Sequence, residues 1–309
     1  SGARVPVVRV KIKETGVTYK AEAQAIRALE IVRRPLITVS GGAKGIDEAA
    51  AGDRSQATLF SEAVYRAAVR VRANVSIPGT QSGLGALLAL EHVQQKKAAE
   101  GSEDSFVPDY FSVVPGLEVF FPGNEFATDD RADVYPINPV KTVATPWRAD
   151  WANPKLDSEY FHHIEYAGGM YKRISEGFGR IMPIGNGGAY TIAEANVELW
   201  QHNSPVLLVA GTGRFADLAI LALAHKDLWS GFIENQNLLS EKLAELAQAL
   251  PDEADRSSVT ASLKNSEVYR NQFALFLKAV LEKPELVETT TLANLEEKLV
   301  SILQATPGA

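Results

Sequence analysis

The chain has 309 residues, 46% of them hydrophobic, which is enough for one large domain or two ordinary ones with packed cores. Its 31 basic and 38 acidic residues give a net charge of -7 without a long Lys/Arg run, which argues against nucleic acid as a partner. With no cysteine and only 5 histidines, the sequence predicts no disulfide, no metal site and no cofactor. The absence of a long apolar stretch and of a secretory signal pattern predicts a cytoplasmic protein that is not embedded in a membrane.

Short apolar runs alternate with stretches of helical period along the first 230 residues. We predict strands at 5–12, 35–40, 74–79, 111–116, 180–185 and 205–211, and another at 160–167 that would point His162 and His163 to opposite faces. We predict helices at 21–32, 61–71, 84–100, 170–178, from Thr191 onward, and at 215–226. Strands without polar alternation are buried on both faces. The pattern therefore predicts an α/β fold for residues 1–230, with a Rossmann-like parallel sheet and helices on both faces.

Two regions depart from this alternation. Residues 120–158 are rich in Pro, Asn and Asp, which is typical of a lid or an inserted arm. Beyond residue 230, amphipathic helices are predicted at 237–250, 266–283 and 292–303, so residues 231–309 form a helical C-terminal region. Its leucines and phenylalanines offer more apolar surface than one docking face needs, which predicts a homo-oligomer, at least a dimer.

Glycine-rich turns follow four of the predicted strands, each directly before a helix. In a parallel sheet these turns meet at the carboxyl edge, where ligands bind, and bare backbone N–H groups at a helix N-terminus suit an anion. None of the turns is a Walker loop or a G-x-G-x-x-G motif. The predicted ligand-binding residues are Ser40, Gly41, Gly42 and Ala43; Gly79, Thr80 and Gly83; Asn186, Gly187, Gly188, Thr191 and Glu194; and Gly211, Thr212, Gly213 and Arg214.

Several of these residues also have a purely structural interpretation. Glu194 lies in the first turns of a predicted helix and interacts favourably with the helix dipole in any case. Thr191 is a candidate cap for the same helix. Arg214 could grip a phosphate or pair with Asp217. The sequence leaves these alternatives open.

The motifs Ser40-Gly41-Gly42-Ala43, Gly187-Gly188-Ala189-Tyr190-Thr191-Ile192 and Gly211-Thr212-Gly213-Arg214 followed by Asp217 resemble three turns of the cytosolic N-terminal domain of TRPM-type cation channels. The resemblance spans about residues 35–225 and is closest to prokaryotic stand-alone relatives in the SLOG superfamily. It implies a sensor of a nucleotide-derived ligand, with ADP-ribose or a cyclic relative as the leading class. It also implies a membrane effector as a possible partner, and it assigns no catalytic residue.

The LOG-type phosphoribohydrolases of the same superfamily supply an alternative, enzymatic reading. The segment 78–86 is similar to their G-G-G-x-x-G-L-M-G turn, and the third turn through Glu194 is similar to their G-G-x-G-T-x-x-E motif. Arg173 is the candidate for the arginine of that family. Tyr190 stands where the motif has its third glycine, and Arg173 lies closer to the glycines than in the family pattern. This resemblance implies that Glu194 stabilises an oxocarbenium-like ribose or positions water while Arg173 holds the phosphate.

Overall fold

The computed structural model describes residues 6–9, 19–42, 56–79, 83–99, 106–116, 119–120, 135–136, 140–147 and 158–305. The predicted site residues Ala43 and Thr80 lie outside the described residues, as does most of the predicted arm at 120–158. None of the described helices is long and apolar enough to span a membrane.

A parallel sheet of nine strands forms the centre of the described chain. The strands are β1 (Val7–Arg9), β2 (Leu36–Thr38), β3 (Ser40–Gly41), β4 (Asn74–Ser76), β5 (Tyr110–Pro115), β8 (Lys141–Thr145), β9 (Arg180–Gly185), β10 (Val206–Ala210) and β11 (Val287–Thr291). Their spatial order is β1-β8-β5-β4-β2-β9-β10-β11, and β3 pairs with β9. Two further short strands, β6 (Val119–Phe120) and β7 (Tyr135–Pro136), pair with each other. All these pairings are parallel, as predicted.

Helices cover both faces of the sheet. They are α1 (Tyr19–Ala28), α2 (Gln56–Val71), α3 (Gly83–Ala99), α4 (Ser158–Ile174), α5 (Ala189–Gln201), α6 (Arg214–Leu223), α7 (Lys226–Trp229), α8 (Gln236–Ala247), α9 (Glu253–Asn265), α10 (Glu267–Glu282) and α11 (Leu295–Ala305). Successive strand residues face opposite sides. Ile181 and Leu207 pack with α2, α3 and α11, whereas Met182 and Leu208 pack with α5, α6 and the helices that follow. The predicted Rossmann-like α/β architecture is therefore confirmed.

Two predictions between residues 140 and 170 are wrong. The segment 160–167 belongs to the 17-residue helix α4 and is not a strand, so His162 and His163 do not lie on opposite faces of a sheet. The β-branched run of β8 lies inside the segment predicted to be an irregular arm, and β8 pairs with β5 and β1 inside the sheet. The apolar spacing of α4 fits a helix because Tyr160, Ile164 and Ala167 recur three and four residues apart.

The C-terminal region is not purely helical. Residues Val287–Thr291 form β11, which pairs along its length with β10 and so extends the sheet. The three predicted helices correspond to α8, α10 and α11, and α9 lies between the first two. Most of the apolar side chains predicted for a subunit interface are buried within the chain instead, whereas Leu238 and Leu275 are 44% and 38% exposed. The apolar surface available for a partner is thus smaller than the sequence indicated.

Candidate functional site

The chain reverses direction across the sheet between β2 and β9. From β2 it continues through α2 to β4 on one side, and from β9 it continues through α5 to β10 on the other side. The loops that follow β2 and β9 therefore diverge, and such divergence opens a crevice at the carboxyl ends of two adjacent strands. A cavity of about 520 Å³ lies at this point.

Helix α4 forms one wall of the cavity, and the ends of several strands, the start of α5, Gly85 of α3 and Arg214 of α6 also line it. Tyr160, His163, Ile164 and Tyr171 project from α4, and their spacing of three, four and seven residues places them on one face. The carboxyl end of β5 contributes an apolar patch, Val113–Pro115. One end of the cavity is therefore apolar and partly aromatic.

Glu194 of α5 also lines the cavity, and the residue is partly buried. Ser40 Oγ donates a hydrogen bond to Glu194 Oε2, and Tyr160 donates to Oε1 over 3.3 Å. Burial raises the pKa of Glu194 above its ordinary value, the two hydrogen bonds oppose this rise, and the nearby Glu198 adds to it. Glu198 itself forms an ion pair with Arg180, with 2.8 Å between Oε2 and Nη2.

Helix α5 begins with an open N-terminus at the cavity. Its N-cap is Gly188, which has an extended backbone (φ -131°) and supplies no side chain to the first turn. A Cβ on Gly188 would meet no atom of the described residues within 4 Å. Thr191 is the third residue of the helix, so it is not the N-cap. It lines the cavity. A helix N-terminus whose N-cap residue provides no side-chain hydrogen bond favours an anion through the helix dipole.

Asn186 and Gly187 shape this turn but are not among the residues that line the cavity. Gly187 has φ +109°, and a Cβ there would lie 2.7 Å from Thr191 Cγ2, so only glycine fits. The Gly187 N–H donates to Asn186 Oδ1 over 2.6 Å, and the Asn186 N–H donates to Thr212 Oγ1 over 2.9 Å. These bonds fix the turn after β9 against the turn after β10.

In the first two glycine turns, close packing is the main reason that glycine is required. A Cβ on Gly41 would lie 2.4 Å from the carbonyl oxygen of Gly185, and one on Gly79 would lie 2.0 Å from Val114 Cγ1. Gly41, Gly42 and Gly79 nevertheless border the cavity, whereas Gly83 starts α3 and does not. These two turns therefore border the cavity, and close packing gives Gly41 and Gly79 a structural reason as well.

The fourth turn, Gly211 to Asp217, is closed, meaning that its N–H groups already bond to a side chain of the chain itself. The N–H groups of Gly211 and Gly213 donate to the two carboxylate oxygens of Asp217, over 2.7 and 2.9 Å. The structure therefore does not bring Gly211, Thr212 and Gly213 to the cavity as predicted. The reason is that a carboxylate of the chain already occupies the place in which an anion was expected.

Arg214 lines the cavity, and its acidic partner is Asp255 instead of Asp217. The Nε atom of Arg214 lies 3.8 Å from Asp255 Oδ1, and its backbone N–H also donates to the Asp255 carboxylate. The Arg214 side chain is 26% exposed. It supplies a cation at the cavity, close to the open start of α5.

The structure places Arg173 elsewhere. It lies in the last turn of α4, and its Nε donates to Glu22 Oε2 of α1 over 2.5 Å. Side chains two residues apart on a helix differ in direction by roughly 200°. Arg173, two residues after Tyr171, therefore points away from the wall that Tyr171 forms. Arg173 is not among the described residues that line the cavity. The arginine of the enzymatic alternative is therefore missing from its expected place.

Sequence reasoning missed the wall that α4 provides and the partner of Arg214. His163 Nδ1 lies 2.9 Å from Thr145 Oγ1, and burial lowers the pKa of His163 to about 3, which keeps the ring neutral. Tyr190 stacks edge-on against Tyr160, with 4.3 Å between ring centroids. A helical interpretation of 158–174 would have revealed the wall, because its apolar residues have period 3.6. The contact of Arg214 with Asp255 has no local signal.

The described residues contain no group of three or more His, Asp or Glu residues that could hold a metal ion. No protein-family model matches the chain, and no curated protein sequence matches it either.

Proposed function

We propose that the chain is a sensor that binds a nucleotide-derived ligand, with ADP-ribose or a cyclic relative as the leading class. The observation that carries this proposal is the cavity at the switch point, where the uncapped N-terminus of α5 at Gly188 and the cation of Arg214 border the same space. A helix N-terminus and a guanidinium both favour a phosphate group. The resemblance of the turns to the SLOG superfamily supports the same class of ligand.

The two ends of the cavity fit the two ends of such a ligand. The apolar patch at Val113–Pro115 and the side chain of Ile164 suit a flat base, which gains free energy when it leaves water. Glu194 lines the same cavity. Its carboxyl oxygens, already ordered by Ser40 and Tyr160, can accept further hydrogen bonds from ribose hydroxyls.

Mass spectrometry of small molecules released from the purified protein tests the proposal first. Calorimetric titration with ADP-ribose, its cyclic forms and AMP then measures the affinity of each. We expect one of these compounds to bind at micromolar concentration or below, about -8 kcal/mol. A protein that releases no nucleotide and binds none of the compounds contradicts the proposal.

A second candidate function is hydrolysis of the N-glycosidic bond of a nucleoside monophosphate. The observation that favours it is the position of Glu194 in the cavity with a raised pKa, which suits a group that exchanges protons. Arg214, and not Arg173, would then hold the phosphate. In that case Glu194→Gln lowers base release from AMP by about 100-fold or more, whereas Glu176→Gln, which changes an exposed carboxylate, leaves it unchanged. The sensor proposal instead expects no appreciable base release by the wild type.

We further propose that the sensor is a cytoplasmic homo-oligomer that acts on an effector, possible partners including a membrane protein. Leu238 and Leu275 are the exposed apolar side chains that remain on α8 and α10 to support this contact. Light scattering at micromolar concentration, with and without ADP-ribose, tests the oligomeric state. A monomer under both conditions contradicts it.

A further inference from the structure

Asp255 connects the C-terminal helices to the ligand cavity. It lies in the first turn of α9, and its carboxylate packs against the backbone at the start of α6. A Cβ on Gly213 would lie only 2.2 Å from Asp255 Oδ2, so the glycine is required for this approach. The same carboxylate accepts the backbone N–H of Arg214 and faces its guanidinium. We call this contact between Arg214 and Asp255 the latch.

The latch leaves Arg214 only partly satisfied. Arg214 Nε and Asp255 Oδ1 lie 3.8 Å apart, which is close enough for an ion pair but too far for a hydrogen bond. The Nε atom is buried and has no hydrogen-bond partner within the described part of the chain. Arg214 also has φ +47°, the left-handed region that a non-glycine residue rarely adopts. Arg214 is therefore held in place by its surroundings while a donor of its guanidinium remains available.

Arg214 faces two anions when a phosphate-bearing ligand is bound, one from the chain and one from the ligand. A guanidinium bonds best to a group that presents two acceptor oxygens to its paired N–H donors. A phosphate at the start of α5 offers such a pair of oxygens. Asp255 offers the side chain of Arg214 only a distant charge. The ligand thus gains interactions with Arg214 that the latch does not make.

Resting on the proposed function, we propose that Asp255 is an internal competitor for Arg214, and that an anionic ligand displaces it and releases the first turn of α9. The remainder of α9 stays anchored through Val259 and Leu263, which are buried in the core. Binding and release are coupled, and the coupling acts equally in both directions. The cavity thereby reports its occupancy to the C-terminal helices, which is the output that a sensor needs.

Calorimetric titration with ADP-ribose of the wild type and two matched variants tests the latch. Asp255→Asn keeps an acceptor for the backbone N–H but removes the charge, so we expect it to bind about fivefold more tightly or better. Glu253→Gln removes a charge from the same helical turn at an exposed position, so it should bind within about twofold of the wild type. Equal or weaker binding by Asp255→Asn, with normal binding by the wild type, overturns the latch and leaves the proposed function intact.

Hydrogen exchange of the wild-type chain provides a measurement that needs no variant. With saturating ADP-ribose, the amides of Asp255 and Arg256, which bond to Asp252 at the start of α9, should exchange faster, while those of Val259 and Leu263 should not. Unchanged or slower exchange at Asp255 and Arg256 overturns the latch. Failure of ADP-ribose, its cyclic forms and AMP to bind any of the three proteins overturns the proposed function and the latch with it.

Discussion

Two turns with the same sequence character have opposite states in this chain. The turn from Gly185 to Thr191 leads into α5 and leaves the helix N-terminus open to the cavity. The turn from Gly211 to Asp217 leads into α6, and there the side chain of Asp217 and the carboxylate of Asp255 take the N–H groups. A glycine-rich turn before a helix is thus a potential anion site only if the chain does not fill it itself.

The two turns are also coupled to each other. The N–H groups of Phe215 and Ala216, in the first turn of α6, donate to the carbonyl oxygens of Gly187 and Asn186 over 3.4 and 3.3 Å. The carbonyl groups of Asn186 and Gly187 therefore point to α6, and their N–H groups bond within the two turns, so it is at Gly188 that the turn borders the cavity. The closed turn supports the open one, and each of the following variants separates the two roles.

Asp217→Asn should have the largest effect, and on stability alone. An amide offers one acceptor oxygen where the carboxylate offers two, so one of the N–H groups of Gly211 and Gly213 loses its partner. We expect the free energy of unfolding to fall by about 2 kcal/mol, measured by urea denaturation. Affinity for ADP-ribose should change by less than about twofold. A large loss of affinity with normal stability would show that the fourth turn is a ligand site after all.

Gly188→Val should lower the affinity for the ligand and leave the stability of the fold almost unchanged. A valine side chain would project into the open space before α5 and block an anion, so affinity should fall at least tenfold, about 1.4 kcal/mol. The extended backbone at Gly188 accepts any residue, so the melting temperature should hardly change. Gly211→Ala is the matched control. Because Gly211 has φ +81°, that change should cost about 1 kcal/mol of stability and leave the affinity intact.

The open and closed turns could not be told apart from the sequence, although their positions could. The alternation of strands and helices predicts that the turns meet at one edge, and the spacing of Thr191 and Glu194 places both on one face of α5. Asp217 lies close enough to suggest a local contact with Gly213. Asp255 lies more than 40 residues away, and no local pattern indicates that α9 packs on the start of α6.

Contacts between residues far apart in the sequence also explain the other points at which the structure differs from the sequence-based predictions. Gly41 and Gly79 look like ligand-binding glycines, but the packing that requires them comes from Gly185 and Val114 on other strands. The Thr-rich strand β11 follows a run of helices, and its place beside β10 is set by pairing across about 80 residues. Long-range packing decides each of these points, whereas hydrophobic period reports only local structure.

Thr212→Val tests the bridge between the two turns. Thr212 Oγ1 accepts the N–H of Asn186 and donates to the carbonyl oxygen of Val209 over 2.7 Å, and valine keeps the shape but removes both bonds. We expect the free energy of unfolding to fall by about 1 kcal/mol. Affinity should also fall, but by less than in Gly188→Val, because the open turn loses one support. Thr289→Val, at an exposed position on β11, serves as the control. A Thr212→Val protein with normal stability would mean that the turns are held independently.

Glu194→Gln should have the smallest effect, and its sign should oppose that of Asp217→Asn. Burial raises the pKa of Glu194 in the folded chain, so the charged form is less stable there than in the unfolded chain. Stability conferred by the protonated group is present at low pH and is lost as the pH rises through the raised pKa. Glutamine resembles the protonated form, so the variant should match the wild type at about pH 4 and exceed its melting temperature at about pH 8.

Thermal melts of both proteins across this pH range measure the difference. The stabilisation should appear in the ligand-free protein and be offset when ADP-ribose is present, because a ligand that binds the carboxylate stabilises the wild type more than the variant. Such a result would mean that the chain retains a charge that weakens its fold because the cavity uses it. A variant that is less stable than the wild type at about pH 8 would place Glu194 with Asp217, as a carboxylate that holds the fold together, and would remove it from the ligand site.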